Sequence, residues 1–215
     1  MRPHDPPIAA TSEALSLAGC LLLDGADTER LAALRSERIA AELASVLPGP
    51  LGVAMAAIQA GLDGAEPDDL AIELTRLMLV PTGGARGKIL VPPWEDCWVG
   101  PERQILGERS AAATRAYASA GIGFDGMGER PADHIGLELC FVAALLTEEQ
   151  EGARDGSVRR AFVREHLTSF APILGGALRR ESRQALWAAL GEALEALPAH
   201  LGKLDRGALP VVASA

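Results

Sequence analysis

The residues best equipped for chemistry lie in one stretch, RPADHIGLELCFVAALL, from Arg130 to Leu146. Asp133 and His134 open a segment that is otherwise apolar, and Glu138 follows His134 at i+4, on the same face of a helix. Three uses fit that pattern. The first is a helix start, with Pro131 at the first helical position and Asp133 in a first turn whose N–H groups favour negative charge. The second is a metal site in which His134 and Glu138 need a third ligand, from His166 or Asp133. The third is a site for a basic partner, because guanidinium groups bind planar carboxylates in bidentate fashion. The helix-start reading explains a core stripe of Ile135, Leu139, Val142 and Leu146, but leaves His134, Glu138 and Phe141 on the neighbouring face.

Other chemical signatures fail on spacing. GGARGK, Gly83 to Lys88, resembles the end of a phosphate-binding loop. The first glycine of such a loop would fall at Thr82, and Lys88 is followed by Ile89 where a hydroxyl residue is needed. Neither G-x-S-x-G nor H-E-x-x-H occurs. A Cys97–His134 pair can be drawn only on paper. Cys20, Cys97 and Cys140 are spaced neither as a disulfide framework nor as a zinc motif, which suits a reducing compartment. Cys20 and Cys140 lie in apolar runs and read as inert core residues. PPWEDCW, Pro92 to Trp98, places two of the three tryptophans four residues apart. They either plug the loop onto the core or form an aromatic wall beside an apolar groove.

The chain that must position these residues has 215 of them, enough for one sizeable core. Hydrophobic residues make up 48% and aromatics only 4%, with Ala, Leu and Gly dominant. That composition favours helices over strands and predicts an all-α protein. The net charge of −9 is wrong for nucleic acid and offers nothing to an anionic membrane. LSLAGC, Leu15 to Cys20, resembles a lipoprotein cleavage box, but Asp5, Glu13 and three prolines precede it in place of a clean apolar region. No run of 18 apolar residues occurs, so a soluble cytoplasmic protein without stable membrane insertion is expected.

Gly and Pro punctuate the helical pattern. A loose arm is expected over 1–10, one helical domain over 11–205 and a tail over 206–215. Within the domain, helices are expected from Ser12 to Leu23 (capped near Thr11 or Ser12), up to PGP at 48–50, from Leu51, and from Pro67 through LAIELTRLMLV. The pattern breaks from Pro81 to Val99 and resumes over 101–121, with Gly121 as C-cap. A flexible stretch, GIGFDGMGER, precedes the helix that starts at Pro131. Further helices are expected from Val158 to Phe170, after Pro172, and from Ser182 to Leu201.

Four segments together resemble the TorD/DmsD family of redox-enzyme maturation chaperones. They are LTRLMLVP (Leu74 to Pro81), VPPWEDCW (Val91 to Trp98), the helix reaching Tyr117 and Gly121, and PADHIGLEL (Pro131 to Leu139). HLTSF, His166 to Phe170, is similar to a later segment of that family. The resemblance implies a single-domain helical bundle that acts as a chaperone, is not an enzyme and carries no cofactor of its own. The implied partner is the leader peptide and apo-form of the catalytic subunit of a molybdopterin-containing oxidoreductase, often one exported by the twin-arginine route. The chaperone would be a monomer or homodimer. By this likeness Pro131, Asp133 and His134 serve leader recognition, and Trp94 and Trp98 match aromatic loop positions.

A twin-arginine leader offers two guanidinium groups and then an apolar stretch. Residues 91–140 hold eight acidic and four basic residues, and Asp133 and Glu138 are the expected arginine partners. Leu106, Phe141, Trp94 and Trp98 are the expected lining for the apolar stretch, and His134 is expected to orient Asp133 or confer pH sensitivity. Two other readings stay open: a small metal-dependent hydrolase using His134 and Glu138, and a chaperone for a leaderless cytoplasmic redox subunit.

Overall fold

The computed structural model describes residues 6–81, 87–100, 104–123 and 130–208, and its regular elements there are helical. They are α1 (Pro6–Asp24), α2 (Thr28–Glu37), α3 (Ile39–Val46), α4 (Gly49–Asp63), α5 (Pro67–Leu74), α6 (Glu108–Ala120), α7 (Ile135–Gln150), α8 (Ser157–Phe162), α9 (Thr168–Glu181) and α10 (Ala185–Ala208). The expected all-α bundle is what forms. α1 packs along α7, α10 lies against both α9 and α4, and α3 packs on α4. One continuous core runs through these contacts and includes Leu21, Met55, Ile58, Leu139, Phe170 and Trp187.

Small residues let the helices approach closely. A Cβ on Gly175 would stand 2.5 Å from the carbonyl oxygen of Gly191, and a Cβ on Gly191 would stand 2.5 Å from that of Gly175. α9 and α10 therefore touch backbone to backbone. Polar bonds fix register across other pairs. Ser12 Oγ donates to the Ala143 carbonyl at 2.8 Å, joining α1 to α7. Trp187 Nε1 donates to the Leu70 carbonyl at 3.0 Å. Arg159, 3% exposed, meets Glu149 at 2.8 Å and Asp205 at 2.7 Å, so its buried charge is paired on both sides.

Several boundaries differ from the sequence expectation, each for a physical reason. α1 starts at Pro6, inside the expected arm, because a proline is tolerated in a first helical turn. Thr11 and Ser12 lie inside that helix and bond across to His200 and Ala143 instead of capping. α10 runs on to Ala208, past the expected start of the tail. α5 is extended by a π-helical turn, Thr75–Leu79. A second π turn, Val163–Leu167, joins α8 to α9, and the chain stays helical through Pro172 where a break was expected. α6 begins at Glu108, not near residue 101. Residues 82–86 of the glycine-rich loop, 124–129 of the second flexible stretch and the terminal residues lie outside the described parts. By length and composition, Pro7–Asp24 could cross a membrane, but half of it is buried, with Leu21 and Leu22 in the common core.

Gly191→Val should lower stability by about 1–3 kcal/mol, since the new side chain meets backbone that cannot turn aside. Gly176→Ala is the control, because its Cβ would meet only the tip of Glu195 at 3.3 Å. Urea unfolding followed by circular dichroism should show a loss for the first and near-neutrality for the second.

Candidate functional site

The long connection between α5 and α6 folds back onto the start of α7. Glu95 N donates to the Asp133 carbonyl at 3.0 Å, and Ile135 N donates to the Pro93 carbonyl at 2.9 Å. Trp94 and His134 thus pair as an isolated antiparallel bridge. Asp133 adds a side-chain bond, its Oδ2 accepting from Asp96 N at 2.9 Å. α6 is tied to the same junction. Ser110 Oγ accepts from Ala132 N at 3.2 Å, and Tyr117 Oη donates to the Ala132 carbonyl at 2.8 Å.

Asp96 supplies the cap of α6 from a distance. Its Oδ1 accepts from Arg109 N at 3.1 Å and its Oδ2 from Ser110 N at 3.0 Å. Free N–H groups at a helix start are ordinarily capped by the adjacent residue, but here that residue is Gly107, which has no side chain. The glycine is required, because a Cβ on Gly107 would stand 2.7 Å from Asp96 Oδ1. Leu106, just before it, takes a left-handed backbone with φ of 65° and projects its side chain into solvent, 71% exposed.

His134, not Pro131, marks the start of α7. It is the N-cap, and its Nδ1 accepts from Gly136 N at 3.0 Å. Burial pushes its pKa down to about 3, with the Arg130 charge adding to the effect. The ring is therefore a neutral acceptor near pH 7. Asp133 precedes the helix; burial raises its pKa, against the bond from Asp96 N.

One layer deeper, Glu138 of α7 points into the interior beside Glu95 of the loop and His166 of the second π turn. Glu95 Oε2 lies 2.6 Å from His166 Nδ1, and Glu138 Oε1 lies 3.8 Å from the same nitrogen. Burial, and then the charges of Glu95 and Asp133, push the Glu138 carboxyl well above the usual range. The His166 ring stacks on Phe162 at 4.4 Å, and Phe162 meets Phe141 at 4.7 Å.

The structure therefore brings together Trp94, Pro131, Asp133 and His134 at the junction, with Glu138 beneath them. Asp133, Glu138 and Phe141 are fully buried, so none of them faces a peptide in this conformation. Phe141 fills an aromatic cluster with Tyr117, 4.6 Å away. Trp94 and Trp98 are partly exposed, and Trp98 Nε1 donates to the Pro92 carbonyl at 2.7 Å. Among the described residues, His134 and Glu138 do not share a ligand set; the three groups close enough for that are Glu95, Glu138 and His166. The Cys97 thiol is pushed up to about 11 by burial and then by Asp133 and Asp96, which disarms it as a nucleophile.

The sequence offers His166 as a candidate ligand beside His134 and as part of HLTSF, and by itself assigns no role to Glu95 or Asp96. The signal was present in the two acids of PPWEDCW: carboxylates set among prolines and tryptophans have little water to solvate them and must find internal donors.

A family model described as "Nitrate reductase delta subunit" matches residues 41–174. No curated protein matches the chain. Among solved structures, a protein described as a candidate redox enzyme maturation protein from Archaeoglobus fulgidus is similar. It is 20% identical, with a TM-score of 0.55, over 86% of this chain and 91% of that one. That likeness concerns the fold. The family match spans more than half of the chain, and the chain belongs to that family of redox-enzyme maturation chaperones.

Two outcomes test the junction. Asp96→Ala should cost about 2 kcal/mol or more, since it removes a helix cap and strands buried N–H groups; urea melts measure it. His134 protonates more readily unfolded, near 6.5, than folded, near 3. Its contribution is complete above pH 6.5 and is lost as pH falls toward 3. His134→Asn keeps a capping side chain and should flatten stability across that window.

Proposed function

We propose that this member of the nitrate reductase delta subunit family binds the N-terminal leader of the catalytic subunit of a molybdopterin-containing oxidoreductase. It would act in the cytoplasm, holding the subunit back from export until its cofactor is in place. The observation that carries the reading is the junction itself. The Asp133–Asp96 bond and the Trp94–His134 bridge hold partly exposed Trp94 and exposed Leu106 on segments locked to α6 and α7. Ile105, 45% exposed, adds to this apolar display. A preorganised apolar surface suits the apolar half of a leader, because little ordering remains to be done on binding.

Asp133 and Glu138 act in this reading as positioning groups. A peptide arginine would have to open the junction to reach either. That burial favours a second version of the same function, in which the client segment is recognised by its apolar residues and needs no arginine pair, as in a subunit that is not exported.

Calorimetric titration of synthetic leaders from candidate client subunits should give micromolar binding, about −8 kcal/mol. Leu106→Ser and Trp94→Ala should each weaken it about tenfold while leaving the helical circular-dichroism spectrum at 25 °C unchanged. A leader in which Arg-Arg is replaced by Lys-Lys separates the two versions: a large loss supports arginine recognition, and indifference supports the apolar client. Equal binding by parent and both variants would rule out this surface.

A further inference from the structure

Glu95, Glu138 and His166 come from three separate elements, the loop, α7 and the π turn after α8, and converge beneath the junction. One ligand atom from each lies within 4.8 Å of the others, and all three residues are buried. Among the described residues, buried acidic groups outnumber buried basic ones here. Four carboxylates, Glu95, Asp96, Asp133 and Glu138, are at most 2% exposed. Asp96 spends both oxygens on the start of α6, and Asp133 spends one on Asp96 N. Among the described residues, Glu95 Oε1, Asp133 Oδ1 and both oxygens of Glu138 are buried without a hydrogen-bond partner. Among the described residues, Glu95 meets Arg109, whose Nε lies 3.8 Å from Oε1 on a side chain that is one-third exposed, and His166, whose Nδ1 lies 2.6 Å from Oε2. Glu95 Oε2 lies 2.6 Å and Glu138 Oε1 3.8 Å from His166 Nδ1, so the Glu138 carboxyl faces the Glu95–His166 pair, and a cation between them would let it ionise.

We infer that Glu95, Glu138 and His166 form a site for one divalent transition-metal ion, of the zinc or iron(II) class, which clamps the loop to α7 and to the π turn. An imidazole nitrogen with two carboxylates is a mixed donor set suited to those ions, whereas magnesium and calcium take oxygen ligands throughout. Binding would draw the three ligand atoms together from their present spacing of up to 4.8 Å. The ion's role is structural: it ties together three segments that are distant in sequence. This reading does not depend on peptide binding, because the ion is detected on the chaperone alone.

The test uses full-length protein stripped with chelator and titrated with Zn²⁺ at pH 7 in millimolar Mg²⁺. One equivalent should bind with submicromolar affinity, and the melting temperature should rise. Glu138→Gln and His166→Gln should each weaken binding at least 100-fold, with Glu138→Gln still folded by circular dichroism. Co²⁺ should give a spectrum of nitrogen and oxygen ligands. No saturable binding, binding unchanged in Glu138→Gln, or a thiolate charge-transfer band would each overturn the site. So would a metal-indifferent parent alongside a more stable Glu138→Gln, since that pattern identifies a proton shared between Glu95 and Glu138 in place of a metal.

Discussion

The bond from the Asp133 carboxylate to Asp96 N is the constraint on which the rest of the site depends. It fixes the loop backbone where the Asp96 side chain can reach the first N–H groups of α6. α6 in turn presents Ser110 and Tyr117 to the segment that opens α7. Each group satisfies a neighbour's desolvated donor or acceptor, so the circuit stands or falls together. In a helical protein with few aromatics, this circuit shapes a surface that helix packing alone would leave to chance.

The bundle itself was legible because helix formation is largely local. Ala and Leu dominate the elements, and prolines and glycines mark most of their ends, as at Gly49, Pro67 and Gly121. The π turns were not legible, because one extra residue in a turn leaves the apolar pattern nearly unchanged. Nor was the continuation through Pro172, since a proline inside a helical pattern ordinarily reads as a break.

The candidate site was half legible. Asp133, His134 and Trp94 were singled out and do meet. Their parts differ from the expectation because α7 starts at Ile135, four residues after Pro131, so His134 and not Asp133 serves its first N–H groups. Asp96 capping α6 from 13 residues away, and Glu95 reaching His166 across 71 residues, are long-range pairings. No spacing rule encodes them, since they exist only once the core has brought the segments together. Burial of Glu138 and Phe141 was hidden for a related reason: the helix is apolar on nearly all sides, so its pattern does not say which face meets the core.

Leu106 carries a wider consequence. A leucine held in left-handed backbone costs roughly 1–2 kcal/mol that glycine or asparagine would not incur, and its apolar side chain recovers none of it by burial. A chain optimised for durability alone would carry a different residue there. The free protein is thus kept slightly less stable than glycine or asparagine at this one position would make it.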